Sequence, residues 1–309
     1  DGECMAGKYS KISIVVILSF IFLLFSFSEG FSKSHKKRHY YRKPSVSQSV
    51  KNKSQSDKGA LILRSAAVFV EDQQTGRCLI QKQAKAVLPI ASITKLMTAM
   101  VVLDAGLDLD ETITIAETDV DTVYGTSSRL AVGSELSRED VLLLALMSSD
   151  NRCAHALGRT YPGGYRECIR AMNAKARMLG LMNTRFQDTI GLSGGNVSSA
   201  RDLARLVDSA YQYELIRDFS TRKSATIFIG WSMVSFRNTN KLVRESDWKI
   251  GLSKTGFTRE AGRCLVMQAK VAKRPFLIVL LDSRNNSARI NDANKIRNWL
   301  ESKSRSQRT

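Results

Sequence analysis

Histidine, acidic residues and long apolar runs are all scarce in this sequence of 309 residues. The three histidines, His35, His39 and His155, have no metal-ligand spacing, so we expect no metal site and no cofactor. The 29 acidic residues are outnumbered by 47 lysines and arginines. The resulting net charge of +18 favours an anionic partner or surface without identifying one. The chain is long enough to bury a full hydrophobic core.

The apolar run at residues 12–25 is shorter than the ~20 residues that a membrane-spanning helix needs. Lys8 and Lys11 precede it, and the small-x-small triplet Ser26-Phe27-Ser28 follows it. A cationic start, an apolar stretch and such a triplet predict a secretory signal peptide at residues 1–28 and a periplasmic protein. An uncleaved membrane anchor is the alternative. A lipoprotein is disfavoured because no cysteine lies at the cleavage site.

Hydrophobic residues are nearly absent from residues 29–59, which carry nine cations and two acids. The cations are Lys33, Lys36, Lys37, Arg38, Arg42, Lys43, Lys51, Lys53 and Lys58. Such a segment cannot bury enough apolar surface to fold, so we interpret it as a flexible basic linker. Electrostatic contact with an anionic envelope surface is the second interpretation. The secretory signal argues against a nucleic-acid partner.

The remaining residues 60–302 have strand patterns at both ends and helical patterns in the middle. Strands are predicted at residues 65–71, 77–81, 247–253, 263–271 and 276–281. Helices are predicted at residues 92–103, 138–147, 165–179, 200–211 and 291–302, the second opened by Ser137 and Asp140 as a capping box. This order predicts an α/β fold with a mostly antiparallel sheet packed against helices, followed by a tail at residues 303–309.

The first chemical motif is Ser92-Ile93-Thr94-Lys95, at the start of an almost wholly apolar helix. A serine hydroxyl needs a nearby base to act as a nucleophile, and Lys95 lies on the same helix face as Ser92. Burial and a second cation nearby lower the pKa of a lysine, so its neutral amine can accept the serine proton. The spacing alone is weak evidence, because Ser-x-x-Lys also occurs at Ser34, Ser220 and Ser246.

The second and third motifs are Ser149-Asp150-Asn151 and Lys254-Thr255-Gly256. The former follows a buried helix and predicts a loop whose hydroxyl relays a proton and whose carboxamide holds the base or a substrate amide. Simple helix capping is the alternative. The latter lies at the end of the strand predicted at residues 247–253. Its lysine offers a positive charge, its threonine a hydroxyl for a substrate carboxylate, and its glycine room for a substrate backbone.

The three motifs together predict one site in which a serine is acylated with a lysine as its base. With their surroundings they resemble the low-molecular-mass penicillin-binding proteins, the serine-type D-alanyl-D-alanine peptidases. Within that family the sequence is most similar to the penicillin-binding protein 7/8 type, the D-alanyl-D-alanine endopeptidases. The resemblance covers roughly residues 60–300 and is carried by residues 89–104, 142–152, 161–165, 172–186, 236–242 and 254–267.

The resemblance implies a β-lactamase/transpeptidase-like α/β domain, with a helical subdomain and no C-terminal β domain. It implies Ser92 as the acyl-ester nucleophile, Lys95 as its general base, and Ser149 and Asn151 as the second edge of the site. Lys254, Thr255 and Gly256 would bind substrate, and the backbone N–H groups of Ser92 and Phe257 would form the oxyanion hole. The implied substrate is a peptidoglycan stem peptide, and β-lactams are the implied inhibitors.

Two other functions are weighed against this one. A class A β-lactamase needs a glutamate in a loop after the second motif, whereas residues 181–196 contain Asp188 but no glutamate. An inactive wall-binding module could keep the fold, but it would not need three intact motifs. The cysteines that follow the signal segment do not discriminate between these functions. Cys153 and Cys168 could form a disulfide in an oxidising envelope, and Cys264 is expected to be a small buried hydrophobic residue.

Overall fold

The computed structural model describes residues 61–245 and 247–306, numbered here by element in chain order. The strands are β1 (Ala67–Asp72), β2 (Arg77–Lys82), β3 (Leu88–Pro89), β4 (Thr112–Thr114), β5 (Glu135–Ser137), β6 (Val197–Ser198), β7 (Ser224–Ile229), β8 (Ser232–Arg237), β9 (Lys249–Thr258), β10 (Gly262–Val271) and β11 (Arg274–Ser283). The helices are α1 (Thr94–Asp104), α2 (Arg138–Met147), α3 (Asn151–Arg159), α4 (Tyr165–Met178), α5 (Ala200–Ala210), α6 (Glu214–Thr221), α7 (Lys241–Arg244) and α8 (Asn286–Ser306). Short 3-10 helices cover Ala91–Ile93 and Glu117–Asp119.

Five strands form one antiparallel sheet in the order β2-β1-β11-β10-β9. The first strand therefore pairs with the last one, with Ala67 opposite Leu281 and Asp72 opposite Phe276. Strand β9 pairs only with β10 and lies at an edge of the sheet. Because β9 contains the third motif, this edge faces the site described below.

Alternate residues of the central strands face two separate cores. Phe69 and Val279 pack with the helical part of the chain, whereas Val68 and Ile278 pack with α8. Since both faces of β11 are covered, residues 276–281 read as a continuous apolar run instead of an alternating one.

Helix α1 is buried on every side, with residues 94–102 all buried. Helix α2 is nearly as enclosed, and the Ser137 hydroxyl caps it by accepting a hydrogen bond from Asp140 N at 3.1 Å. Helices that are apolar all round belong in the interior of a protein. Within the residues that the structure describes, no helix is long and apolar enough to cross a membrane.

The structure corrects several predicted elements. Strand β9 runs through the third motif to Thr258 because β10 pairs with it over that whole length. Helix α8 begins before and ends after the predicted residues 291–302, and Arg289 in its added first turns donates to the Cys264 carbonyl at 2.8 Å. Helices α3 and α6 and the β7–β8 hairpin were not predicted. The signal peptide and basic linker lie outside the described residues.

No disulfide joins Cys153 of α3 and Cys168 of α4, so that pairing is not made in this structure. Both thiols are fully buried, and burial raises the pKa of Cys168 to about 12. A thiol in such surroundings is chemically inert at neutral pH. Cys264 is buried within β10, in the position of a small core residue.

Candidate active site

Ser92 lies in the 3-10 turn that leads into α1, and Lys95 lies in the first turn of that helix. The Lys95 Nζ is 2.9 Å from Ser92 Oγ. Ala91, just before the serine, has a φ of 49°, a left-handed conformation that costs energy for any residue but glycine. Local backbone strain of this kind is concentrated at functional sites.

Lys95 is almost completely buried, with 1% of its surface exposed. Burial lowers the pKa of Lys95 from 10.5 to about 7, and the nearby carboxylates of Asp188 and Asp150 oppose that change. A lysine with such a pKa is neutral in about half of the molecules at pH 7. It can therefore act as a base near neutral pH, unlike an exposed lysine.

The partners of Lys95 are three oxygens, which fit both the charged and the neutral amine. Its Nζ lies 2.7 Å from Asn151 Oδ1 and 2.7 Å from the Ile190 carbonyl oxygen. These two oxygens can only accept hydrogen bonds, so when Lys95 is neutral they take its two N–H groups. The remaining lone pair is then directed at the third partner, the Ser92 hydroxyl, which can donate its proton.

The residues of the second motif have two roles: one caps a helix, and the other two contact the lysines of the site. Asp150 caps α3 by accepting from Cys153 N at 3.1 Å, and its other oxygen accepts from the Ser128 hydroxyl at 2.7 Å. Asn151, the first residue of α3, directs its carboxamide to Lys95. Ser149 has a φ of 61° and directs its hydroxyl to Lys254. The predicted capping is thus real, but the residue that caps is Asp150.

Lys254 reaches across the site from β9 and donates to Ser149 Oγ at 2.8 Å and to the Thr255 carbonyl oxygen at 3.0 Å. Burial lowers the pKa of Lys254 well below its usual value, and the neighbouring Lys95 and Arg289 lower it further. Two buried amines so close together disfavour each other's charged form. An anion that enters the site would favour the charged form of Lys254.

Backbone N–H groups of β9 line the site on the side away from β10. Ser253 N donates to the Ser220 hydroxyl of α6 at 3.2 Å, so it faces away from the sheet. Because successive N–H groups of a strand alternate in direction, those of Thr255 and Phe257 face the same way. The Phe257 N–H consequently points outward next to the turn that carries Ser92.

Two glycines allow the backbone to approach the Ser92 turn closely. A Cβ at Gly256 would lie 2.8 Å from the Ile90 carbonyl oxygen and 3.1 Å from Ser92 N. A Cβ at Gly191 would lie 2.0 Å from the Ala91 carbonyl oxygen, and Gly191 also has a φ of +91°. The glycine of the third motif is therefore required for packing against the nucleophile, which spacing alone could not show.

The outer part of the site is formed by Thr255 and Phe257. The Thr255 hydroxyl is 2.6 Å from that of Thr239, which lies between β8 and α7. The half-exposed ring of Phe257 is covered by the Arg263 guanidinium, 3.6 Å from the ring centroid. These side chains form the wall of the cleft next to the outward N–H groups.

Three contacts of the site were not predicted. The Ile190 carbonyl oxygen binds Lys95, Thr126 Oγ1 accepts from Asn151 Nδ2 at 2.9 Å, and Thr239 contacts Thr255. Thr239 lies within residues 236–242, one of the stretches that carried the family resemblance. A backbone carbonyl and a threonine in a turn-rich loop leave no comparable signal in a single sequence.

Among the residues that the structure describes, no group of three or more histidine, cysteine, aspartate or glutamate side chains could hold a metal ion. The arrangement instead joins a hydroxyl, a neutral buried amine and outward backbone N–H groups. Such a set can carry out acyl transfer to serine.

Comparison with known proteins identifies the family. The D-alanyl-D-alanine carboxypeptidase family, peptidase S11, matches residues 51–285, so the chain belongs to that family. It is 48% identical over 241 residues to a D-alanyl-D-alanine endopeptidase of Pseudomonas aeruginosa, which covers 77% of this chain and 78% of the relative. It is 46% identical to an Escherichia coli protein of the same name, with the same shares covered.

The solved structures agree with this result. The crystal structure of the Streptomyces K15 DD-transpeptidase superposes with a TM-score of 0.72 at 30% sequence identity, covering 77% of this chain and 97% of that one. The family and fold confirm the predicted α/β transpeptidase-like domain and the prediction of an enzyme, a D-alanyl-D-alanine peptidase.

Proposed function

We propose that this protein is a D-alanyl-D-alanine endopeptidase that cleaves cross-linked peptidoglycan stem peptides through an acyl-serine intermediate. The placement of the buried Lys95 Nζ 2.9 Å from the Ser92 hydroxyl carries the proposal, because it supplies a base at the nucleophile. The endopeptidase assignment is favoured over carboxypeptidase by the 46–48% identity to endopeptidases, compared with 32% for a Streptomyces carboxypeptidase.

In the proposed first step, Lys95 takes the proton of the Ser92 hydroxyl while Ser92 Oγ attacks the carbonyl carbon of the D-alanyl residue. The oxyanion is held by the N–H groups of Ser92 and Phe257, a contribution that is typically about 3 kcal/mol for one donor. The C–N bond then breaks, and a proton returns through Lys95 or Ser149 to the leaving amine. Water attacks the ester in the second step and releases Ser92.

Lys254, Thr255 and Gly256 bind the substrate in this proposal. A substrate carboxylate beside Lys254 favours the ammonium form of the lysine, because an opposite charge raises its pKa. The Thr255 hydroxyl binds the same carboxylate or an amide, and Gly256 keeps the backbone of β9 close to Ser92. Asn151 orients Lys95 and the peptide. β-Lactams acylate the same serine and inhibit the enzyme.

Digestion of purified cross-linked muropeptide dimers distinguishes the two peptidase activities. The endopeptidase converts dimers to monomers, whereas a carboxypeptidase removes one terminal D-alanine and leaves the cross-link. Loss of D-alanine without monomers would refute the endopeptidase assignment. A stable cross-link with no reaction at all would favour a wall-binding module.

Labelling with a fluorescent penicillin tests the nucleophile separately. Ser92→Ala is expected to abolish the labelled band while circular dichroism and the melting temperature stay close to those of the wild type. Ser220→Ala, at a second Ser-x-x-Lys spacing, is expected to keep the label. Labelling that survives in Ser92→Ala would assign the ester to another residue.

The chain organisation belongs to the same proposal. Residues 1–28 direct secretion to the periplasm, and residues 29–59 tether the enzyme through their cations to an anionic envelope surface. The catalytic domain, predicted at residues 60–302, continues to the end of α8 at Ser306, so the predicted tail at 303–309 is shorter. The tether is supported by its nine cations against two acids. Elution of the protein from isolated envelopes by salt would support the tether. Retention of a variant in which those cations are replaced by glutamine would contradict it.

A further inference from the structure

Strands β7 and β8 form a hairpin that takes part in no other sheet. Partners across the hairpin share a face, and the pairs Ile227–Val234 and Ala225–Phe236 lie on the inner face. Ile227 and Phe236 are buried against the helical core. The inner face therefore explains why the hairpin folds against the domain.

The outer face changes character along the hairpin. Near its base, Thr226 and Ser235 form a polar pair with their hydroxyls 3.1 Å apart. Near the tip, the pair Phe228–Met233 is 65% and 74% exposed, and Trp231 in the turn is 99% exposed. Isolated exposed apolar side chains are common, but three adjacent ones including a tryptophan indicate a contact surface.

The charged residues of the chain segment that contains the hairpin are all cations. Residues 219–244 contain no aspartate or glutamate and five cations, Arg222, Lys223, Arg237, Lys241 and Arg244. Of these, Arg222 forms an ion pair with Asp218 of α6. An apolar tip that includes tryptophan and has a cationic base is complementary to the headgroup region of an anionic membrane.

We propose that the tip of the β7–β8 hairpin, formed by Phe228, Trp231 and Met233, inserts into the surface of an anionic lipid bilayer. The Thr239 hydroxyl, two residues beyond β8, contacts Thr255 in the cleft. A hairpin held at the bilayer therefore keeps the cleft beside the membrane. This interaction does not depend on the proposed peptidase specificity.

The test uses the full chain and vesicles that contain brominated lipids, either phosphatidylglycerol with phosphatidylethanolamine or phosphatidylcholine alone. Residues 1–60 can bind vesicles by themselves, so the readout must be local to Trp231. The Trp231 emission is obtained by subtracting the spectrum of Trp231→Phe, which retains Trp248 and Trp299. We expect quenching and a blue shift of this component with the anionic vesicles and little change with phosphatidylcholine.

Matched variants distinguish insertion of the hairpin tip from nonspecific hydrophobic adsorption to the vesicles. Phe228→Ser with Met233→Ser should reduce the quenching at least several-fold, whereas the control Met178→Ser with Met182→Ser, at two residues that are each 84% exposed, should not. Muropeptide cleavage in solution should be unchanged in both. Absent quenching with anionic vesicles overturns the proposal. A blue shift that appears with insoluble peptidoglycan and not with vesicles also overturns it and would identify a glycan-binding surface.

A second inference rests on the loop behind Lys95. The Asp188 carboxylate accepts hydrogen bonds from Ile190 N at 2.8 Å, from Gly191 N and from Ser193 N at 2.6 Å. The turn that it closes places the Ile190 carbonyl oxygen 2.7 Å from Lys95 Nζ. Gly191 in the same turn lies against the Ala91 carbonyl, next to the nucleophile.

We infer that Asp188 is a positioning residue: by closing this turn it fixes the Ile190 carbonyl against Lys95. The inference rests on the proposed role of Lys95. The charged or titratable groups that face Lys95 are Asp188, Asp150 and Cys153, together with Lys254 across the cleft. Asp188 is the main anion among them that favours the ammonium form.

The pH dependence of penicillin acylation tests this inference. Asp188→Asn keeps a hydrogen-bond acceptor but removes the charge. The acid limb, the part of the profile where the acylation rate falls as the pH decreases, should therefore move to lower pH by roughly 1 unit. Asp188→Glu keeps the charge and should keep the wild-type limb. If Asp188→Asn acylates more slowly but its rate falls at the same acidic pH as that of the wild type, Asp188 has only a structural role. If Ser92 or Lys95 were wrongly assigned, the wild type itself would lack an acid limb near pH 7.

Discussion

The central residue of this site is a lysine whose chemistry is changed by its surroundings. Lys95 has the ordinary side chain of a surface cation, yet its burial favours the neutral amine. A serine nucleophile can therefore be activated without a histidine: in the described part of the chain, the hydrogen-bond partners of Lys95 Nζ are Ser92, Asn151 and Ile190.

The pKa of Lys95 predicts how the reaction depends on pH. Only the neutral amine accepts the Ser92 proton, and the pKa of about 7 means that this form is lost as the pH falls below 7. The acylation rate should decline about tenfold per unit below pH 6 and reach a plateau above about pH 8. Stopped-flow acylation by a chromogenic β-lactam measures this profile.

A control separates this effect from unfolding in acid. The melting temperature recorded over the same pH range should change far less than the acylation rate. A rate that is constant from pH 5 to pH 9 would show that Lys95 is not the base whose protonation limits acylation.

At the scale of elements, the site depends on a strand edge packed against a 3-10 turn. Gly256 of β9 lies against Ile90 and Ser92, and this contact sets the distance between the N–H groups of Ser92 and Phe257. The strand would have to move if a side chain were added there. Catalysis therefore depends on close packing between two elements that are distant in sequence.

Gly256→Ala is expected to slow acylation by roughly 100-fold, because its Cβ would displace the Phe257 N–H from the oxyanion. The matched control is Gly194→Ala, where a Cβ meets nothing within 4 Å and φ is not left-handed. The control should acylate at the wild-type rate. Equal rates for both variants would show that the Gly256 contact does not position the oxyanion donor.

The elements also show what the sequence could and could not predict. Periodicity and turn residues predicted the two halves of the sheet and helix α2 with its Ser137 cap, because these depend on local patterns. The extension of β9 depends on pairing with β10, and that of α8 on the contact between Arg289 and Cys264. Motif order brought Ser92, Lys95, Ser149, Asn151 and Lys254 together, but Ile190 contributes a carbonyl that every residue has.

At the scale of the molecule, the two ends of the domain are joined through one buried carboxylate. Asp292 of α8 accepts from Ser65 N at 2.7 Å, from the Ser65 hydroxyl at 2.7 Å and from Arg64 N at 2.9 Å. These residues precede β1, which pairs with β11 in the centre of the sheet. The carboxylate therefore links the start of the sheet to the helix that covers it.

Asp292→Ala should lower the free energy of unfolding by about 3 kcal/mol, because it leaves buried N–H donors without a charged acceptor. Glu301→Ala, which breaks a partly exposed ion pair with Arg297 on the same helix, should cost less than about 1 kcal/mol. Urea unfolding followed by circular dichroism measures both. Similar losses for the two variants would contradict the central role given to Asp292.

The free edge of β9 has a consequence for inhibitor design. Past Ser253, no strand among the described residues 61–245 and 247–306 lies beside the outward N–H groups of Thr255 and Phe257. An extended peptide mimic that pairs with this edge would occupy the cleft by backbone hydrogen bonds alone. Such a compound needs no reactive ring, so hydrolysis by a β-lactamase would not inactivate it.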